Sequence, residues 1–171
     1  MRMRIRTGIA GMATAASVLV ATPAIAAPSG SAVAAPDGAA SVALSTLAAS
    51  GCGSSCDFKD PNTFKIYYDG THYTTCVDGR PGYSEAAKTV DSVWFPGGTI
   101  FLRYSPFCRT IWTKRSGSVG VTTTSFYTSG SKRTSAGQIS GTDWTEMLND
   151  SGLLGQGKGA DGPAVAYTIK Y

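Results

Sequence analysis

From residue 64 onward the chain runs as short aromatic and β-branched stretches punctuated by Gly, Pro, Asp and Ser. Residues 64–68 and 71–75 flank Asp69-Gly70. They predict a hairpin with a tight primed turn, since Gly supplies positive φ without steric cost. Residues 89–95 predict a second strand, Pro96-Gly97-Gly98 a turn, and residues 99–104 the returning strand, with Ile100, Leu102 and Tyr104 on one face. Residues 107–114 continue as strand until Ser116-Gly117-Ser118 breaks them, and residues 121–128 and 132–134 are again β-prone. Residues 164–171 alternate, placing Val165, Tyr167, Ile169 and Tyr171 on one side. Two stretches read differently. Residues 152–162 are rich in Gly and predict a loop. Residues 142–149 predict one helical turn, capped by Thr142, with Trp144, Met147 and Leu148 at spacings of three and four. About seven short strands joined by turns predict an all-β fold: a small antiparallel barrel or sandwich with at most one short helix.

The first 50 residues are built otherwise. Arg2, Arg4 and Arg6 precede an apolar stretch over residues 9–20, and Ala24-Ile25-Ala26 follows. This is the layout of a secretory signal peptide over residues 1–26, and the apolar stretch is shorter than a spanning helix needs. Residues 27–50 hold almost only Ala, Ser, Val, Gly and Pro. They predict a flexible leader, because so little apolar surface cannot offset the entropy of ordering. Within it, residues 40–45 could add as a strand to another sheet. All four cysteines, all three tryptophans and all eight tyrosines lie beyond residue 50, so residues 51–171 form the predicted domain.

Charge changes its meaning once the address segment is set apart. The whole chain of 171 residues carries 15 Lys+Arg against 11 Asp+Glu, a net charge of +4. Without Arg2, Arg4 and Arg6 it carries 12 against 11, a net charge of +1. Long-range attraction to nucleic acid is therefore not expected. The length fits one domain and excludes a multidomain enzyme. The expected location is extracellular, with no membrane attachment after signal removal.

Cys52, Cys56, Cys76 and Cys108 are an even set in a chain read as exported, which predicts two disulfides. Their spacing lacks the close pairs of zinc ribbons, so no metal and no other cofactor is expected. Three pairings are open, and the favoured one joins Cys56 to Cys76 and Cys52 to Cys108.

Several runs resemble a family of uncharacterised exported actinobacterial domains. They are Cys52-Gly53-Ser54-Ser55-Cys56, Lys59-Asp60-Pro61, Cys76, Leu102-Arg103-Tyr104-Ser105-Pro106, Cys108-Arg109-Thr110 with Trp112, and Trp144-Thr145-Glu146-Met147-Leu148-Asn149-Asp150-Ser151-Gly152. The chain departs from that family in a longer stretch before Cys76 and in Lys114, where Arg is usual. The resemblance implies an exported, cystine-bonded β-domain without an established activity. Some small exported proteins of this general kind act as adaptors in secreted toxin particles.

No residue set points to catalysis. His72 is the single histidine and no Gly-x-Ser-x-Gly occurs, so it reads as a surface hairpin residue. Asp57, Asp60, Asp69 and Asp78 read as turn formers or solvated groups, although two carboxylates at suitable spacing would serve a hydrolase. Arg103 reads mainly as framework, with an acidic partner and an aromatic neighbour expected for it. Lys114-Arg115 and Lys132-Arg133 would form a local basic rim. The candidate binding residues are Tyr67, Tyr68, His72, Tyr73, Arg103 and Arg109, because exposed Tyr offers contact area at low entropy cost. The expectation is a secreted, non-enzymatic, monomeric β-domain that binds another macromolecule. A secreted protein is favoured over a cell-surface polymer, with a protease inhibitor, a toxin-particle adaptor or a carboxylate-dependent hydrolase as alternatives.

Overall fold

A computed structural model describes the backbone of residues 41–43 and all of residues 51–67 and 71–171. The expected signal peptide, most of the expected leader, and Tyr68, Asp69 and Gly70 lie outside the described residues. The domain is β throughout, with one 3₁₀ turn at Gly53–Cys56 as its only described helical element.

Two four-stranded antiparallel sheets pack face to face. The first orders β4 (Lys88–Phe95), β5 (Gly98–Ser105), β6 (Thr110–Gly117) and β9 (Leu148–Asn149) side by side. The second orders β11 (Ala164–Tyr167), β10 (Leu154–Asp161), β7 (Gly120–Phe126) and β8 (Lys132–Gly137). Alternation decides what lies between them. Ile100, Leu102 and Ile111 from the first sheet meet Val121 and Ala136 from the second, with Phe95, Val119 and Leu148 completing the core. The β4–β5 turn needs its glycines: Gly97 has φ of 98°, and a Cβ on Gly98 would collide with the Ser116 carbonyl.

A third, smaller sheet orders β1 (Ser41–Ala43), β2 (Lys65–Tyr67) and β3 (Tyr73–Thr74). β1 runs parallel to β2, with Val42 opposite Ile66. Of the stretch expected to add as a strand, residues 41–43 thus join this chain's own sheet. Beneath β2, Phe64, Ile66, Phe107, Met147, Trp112 and the four cysteines form a second core. Trp112 lies opposite Arg103 across β5 and β6, on the face turned away from the sandwich interior. β6 is therefore buried on both faces over residues 110–113.

Two expectations need correction. Residues 152–162 contain strand β10, central in its sheet, not a loop. Its glycines alternate, and Gly155, Gly157 and Gly159 are the buried positions facing the opposite sheet. A Cβ on Gly159 would sit 2.7 Å from Ile100 Cγ2 and from Phe95, and one on Gly157 2.8 Å from Thr113 Oγ1. Glycine here is a spacing device, letting β10 approach β5 and β6 closely. Residues 142–149 form no helical turn. Trp144 bridges to Lys114, Thr145 to Gln138 and Met147 to Lys59, so the segment lies extended across the sandwich edge and ends in β9.

The Thr-rich strands also have a buried use. Thr113, Thr123 and Thr145 are fully buried, and their hydroxyls join in a chain with both links at 2.7 Å. The Thr113 backbone N–H donates to Thr145 Oγ1 at 3.1 Å. Each hydroxyl is thus satisfied away from water. In the last strand Val165 and Tyr167 share the exposed side as alternation expects, and Ile169 and Tyr171 beyond its end are exposed too, while Thr168 is buried.

Candidate functional site

The cystines organise the lower core. The 3₁₀ turn brings Cys52 and Cys56 to a Cα separation of 5.7 Å, and they form one disulfide. Cys76, just after β3, joins Cys108, just before β6, at 5.6 Å. Both cystines match the expected use of the four residues, but the pairing is Cys52–Cys56 and Cys76–Cys108, not the favoured Cys56–Cys76 and Cys52–Cys108. A tight turn folds the Cys-x3-Cys segment back on itself, and that local geometry overrides the longer connections. The four sulfurs lie within 4.8 Å of one another, and all four residues are buried. The Cys76–Cys108 bond fastens the small sheet to the sandwich.

On the small sheet, alternation buries Ile66 and turns Lys65 and Tyr67 outward. Tyr67 lies opposite Tyr73, their ring centroids 5.7 Å apart at 59°. Lys65 Nζ stands 4.7 Å over the Tyr73 ring. Tyr73 is 49% exposed. His72 is exposed too, and its Nδ1 lies 3.2 Å from Thr71 Oγ1. The structure thus brings Lys65, Tyr67 and Tyr73 together on the β2–β3 hairpin, with His72 next to Tyr73 in the chain, while Tyr68 is outside the described residues.

Arg103 and Arg109 are apart from that group in role. Arg103 donates to the Ala87 carbonyl at 2.7 Å and to Thr89 Oγ1 at 2.8 Å, in place of the expected acidic partner. Partial burial lowers its pKa. It borders a small cleft of about 140 Å³ with Asn62, Val77, Trp112, Lys114 and Trp144. Arg109 sits in the left-handed region at φ of 54°. Its N–H bonds the Ser105 carbonyl and its own carbonyl accepts from Asp150 N–H, both at 2.8 Å. It faces Tyr104 and Asp150. Burial pushes the Asp150 carboxyl up to about 7, with Arg109 opposing the shift.

The remaining carboxylates named from the sequence are framework groups. Asp57 holds the guanidinium of Arg133 with both oxygens and accepts from Asn149 N–H at 2.8 Å. Asp60 accepts from Asn62 N–H at 2.9 Å and from Trp144 Nε1 at 3.1 Å. Asp78 accepts from Thr75 Oγ1 at 2.8 Å. Asp57, Asp60 and Asp78 are each committed to hydrogen bonds within the fold, and Asp57 and Asp60 serve different partners. Arg115 is likewise occupied, by Asp143 at 3.3 Å and the Val119 carbonyl at 2.5 Å.

One surface escaped the sequence reading. The outward side of the β11-β10-β7-β8 sheet carries a groove of about 380 Å³. The strand registers that build it run through β10, whose glycine-rich sequence predicts a loop. The threonine alternation in β7 was the signal available: Val121, Thr123 and Ser125 are buried, which turns Thr122, Thr124 and Phe126 outward.

A family model described as "Protein of unknown function (DUF2690)" matches residues 54–156, more than half of the chain. The chain belongs to this family. The DUF2690 match takes in the 3₁₀ turn from Ser54, strands β2 to β9 and the first three residues of β10. It begins after Cys52 and stops before the end of β10. No curated protein and no solved structure matches the chain significantly.

Proposed function

We propose that this DUF2690 chain is an exported, non-enzymatic recognition domain that binds another protein through the outer side of its small sheet. The observation carrying the reading is exposed Tyr73 packed against half-buried Tyr67, with Lys65 over the Tyr73 ring. Tilted tyrosine rings already packed against each other offer amphipathic contact area with little rotamer entropy left to lose. The Cys76–Cys108 cystine, two residues beyond β3, makes the platform rigid. Export is supported by the arginine-led apolar N-terminus with its Ala24-Ile25-Ala26 site and by the two cystines. Among the described residues no helix is long and apolar enough to cross a membrane.

Expression of the full chain in a secreting host gives the first check, with N-terminal sequencing of the supernatant protein expected to begin at Ala27. The second replaces Tyr73 with a photocrosslinking phenylalanine analogue. Crosslinks to one protein partner, lost when Lys65 and Tyr67 are changed to Ala with the melting temperature retained, support the hairpin. Equal crosslinking in the double variant overturns it.

A further inference from the structure

The groove on the outward side of the β11-β10-β7-β8 sheet has a composition of its own. Hydrogen-bond registers fix its rows. Tyr167, Lys158 and Thr122 stand side by side in one row, and Gln156, Thr124 and Ser135 in the next. Phe126 with Lys132 closes the far end. These eight residues line the groove, and none is acidic. Lys170 Nζ stands 4.0 Å from the Phe126 ring centroid, adding a third ammonium at that end. The Thr124 and Ser135 hydroxyls share one hydrogen bond of 2.9 Å, which leaves one hydroxyl hydrogen for another acceptor. Gln156 Nε2 donates to the Thr168 carbonyl at 2.8 Å, which fixes the amide and keeps its oxygen as an acceptor.

We propose that this face binds an anionic polysaccharide, independently of the tyrosine platform. The hydroxyls and the amide match sugar hydroxyls, which both donate and accept. The lysines match carboxylates carried along the chain. Tyr167 and Phe126 supply aromatic surface at the two ends. Thr122 and Phe126 are four residues apart on β7, about 13 Å at strand rise, so the face spans an extended polymer and exceeds one sugar ring. A protein partner fits less well, because the centre of the face is polar where an interface core is apolar. A nucleic acid would require several more phosphate contacts than three lysines provide.

The test uses the full chain and a fluorescein-labelled decagalacturonate, read by fluorescence anisotropy. The expected result is saturable binding that unlabelled decagalacturonate displaces. Dextran oligomers and decaglutamate are expected to displace it at least tenfold less well. Lys132→Glu with Lys158→Glu should abolish the signal, and Thr124→Val should weaken it severalfold. Lys88→Glu, on the other sheet, should leave it unchanged. No binding, equal displacement by decaglutamate, or a Lys88→Glu loss equal to the double variant's would each overturn the proposal. Should the double Glu variant fold poorly, Lys132→Gln with Lys158→Gln takes its place, and retained binding in that folded variant overturns the proposal too.

Discussion

Arg133 on β8 closes a two-pronged bond onto Asp57, 76 positions earlier in the chain. Asp57 is 9% exposed and Arg133 20% at the side chain. Because Asp57 also takes the Asn149 N–H, three segments meet at one carboxylate: the end of the 3₁₀ turn, β8 and β9. Breaking a largely buried pair by deleting one member leaves an uncompensated charge. Arg133→Ala is expected to lower stability by about 3 kcal/mol in urea denaturation. Asp57→Asn, which keeps an acceptor for Asn149, is expected to cost less. A cost below about 0.5 kcal/mol for Arg133→Ala would show the pair to be inert.

The glycine stripe of β10 makes a second prediction. A Cβ on Gly155 would overlap Ile111 Cδ1, and Gly159 has no spare room against Phe95 and Ile100. Gly155→Ala and Gly159→Ala are each expected to cost about 1–3 kcal/mol by overpacking. Phe95→Leu should recover part of the Gly159→Ala loss and none of the Gly155→Ala loss. Equal recovery in both, measured by thermal denaturation, would show that the two glycines do not act locally.

That stripe also marks where reading the sequence stopped. The β4–β5 hairpin was legible because Pro96-Gly97-Gly98 punctuates two strands whose apolar positions alternate. β10 was not, because its inward positions carry no side chain, and alternating hydrophobicity has nothing to register. Trp144, Met147 and Leu148 share helical spacing by coincidence; each meets a different strand partner or core, and only tertiary contact decides that. Tyr67 and Tyr73 stand out by type in the hairpin sequence, but a two-residue turn at Asp69-Gly70 would set Tyr67 opposite His72, and only the observed register sets it opposite Tyr73. The lysine and threonine face could not be named from the sequence, since it needs four strands, two of them adjoining β10.

Asp150 carries a pH dependence. Its folded-state value is about 7 against an ordinary 3.8, raised by burial, with Arg109 holding it back. Below the ordinary value both folded and unfolded chains hold the proton. Between the two values the folded chain keeps a proton the unfolded chain gives up, so stability falls as pH rises through that window, and the loss is complete above about 7. Asp150→Asn removes this contribution. Its melting temperature is expected to gain on the parent steadily between pH 4 and pH 8. Parallel curves across that range would refute the assignment.

The cystines give a prediction about sequence distance. Non-reducing peptide mapping is expected to return Cys52–Cys56 and Cys76–Cys108. Replacing Cys76 and Cys108 together by Ala opens a loop of 32 positions and is expected to cost about 2–4 kcal/mol. The same change at Cys52 and Cys56, four positions apart, should cost less, because a short loop restricts the unfolded chain less. The reverse order, measured by urea denaturation, would point to strain in the folded state.

Four sulfurs within 4.8 Å of one another also change how this domain matures. Disulfide exchange proceeds by attack of a thiolate on a neighbouring bridge, and here every bridge has both remaining sulfurs as neighbours. A chain that has closed one bridge in a wrong pairing still holds two thiols beside that bridge, so a thiolate attacks it, forms the new bridge and releases the displaced sulfur as a thiolate. Proofreading of the cystines is intramolecular while the second pair of thiols stays reduced, and it ends when the second bridge closes.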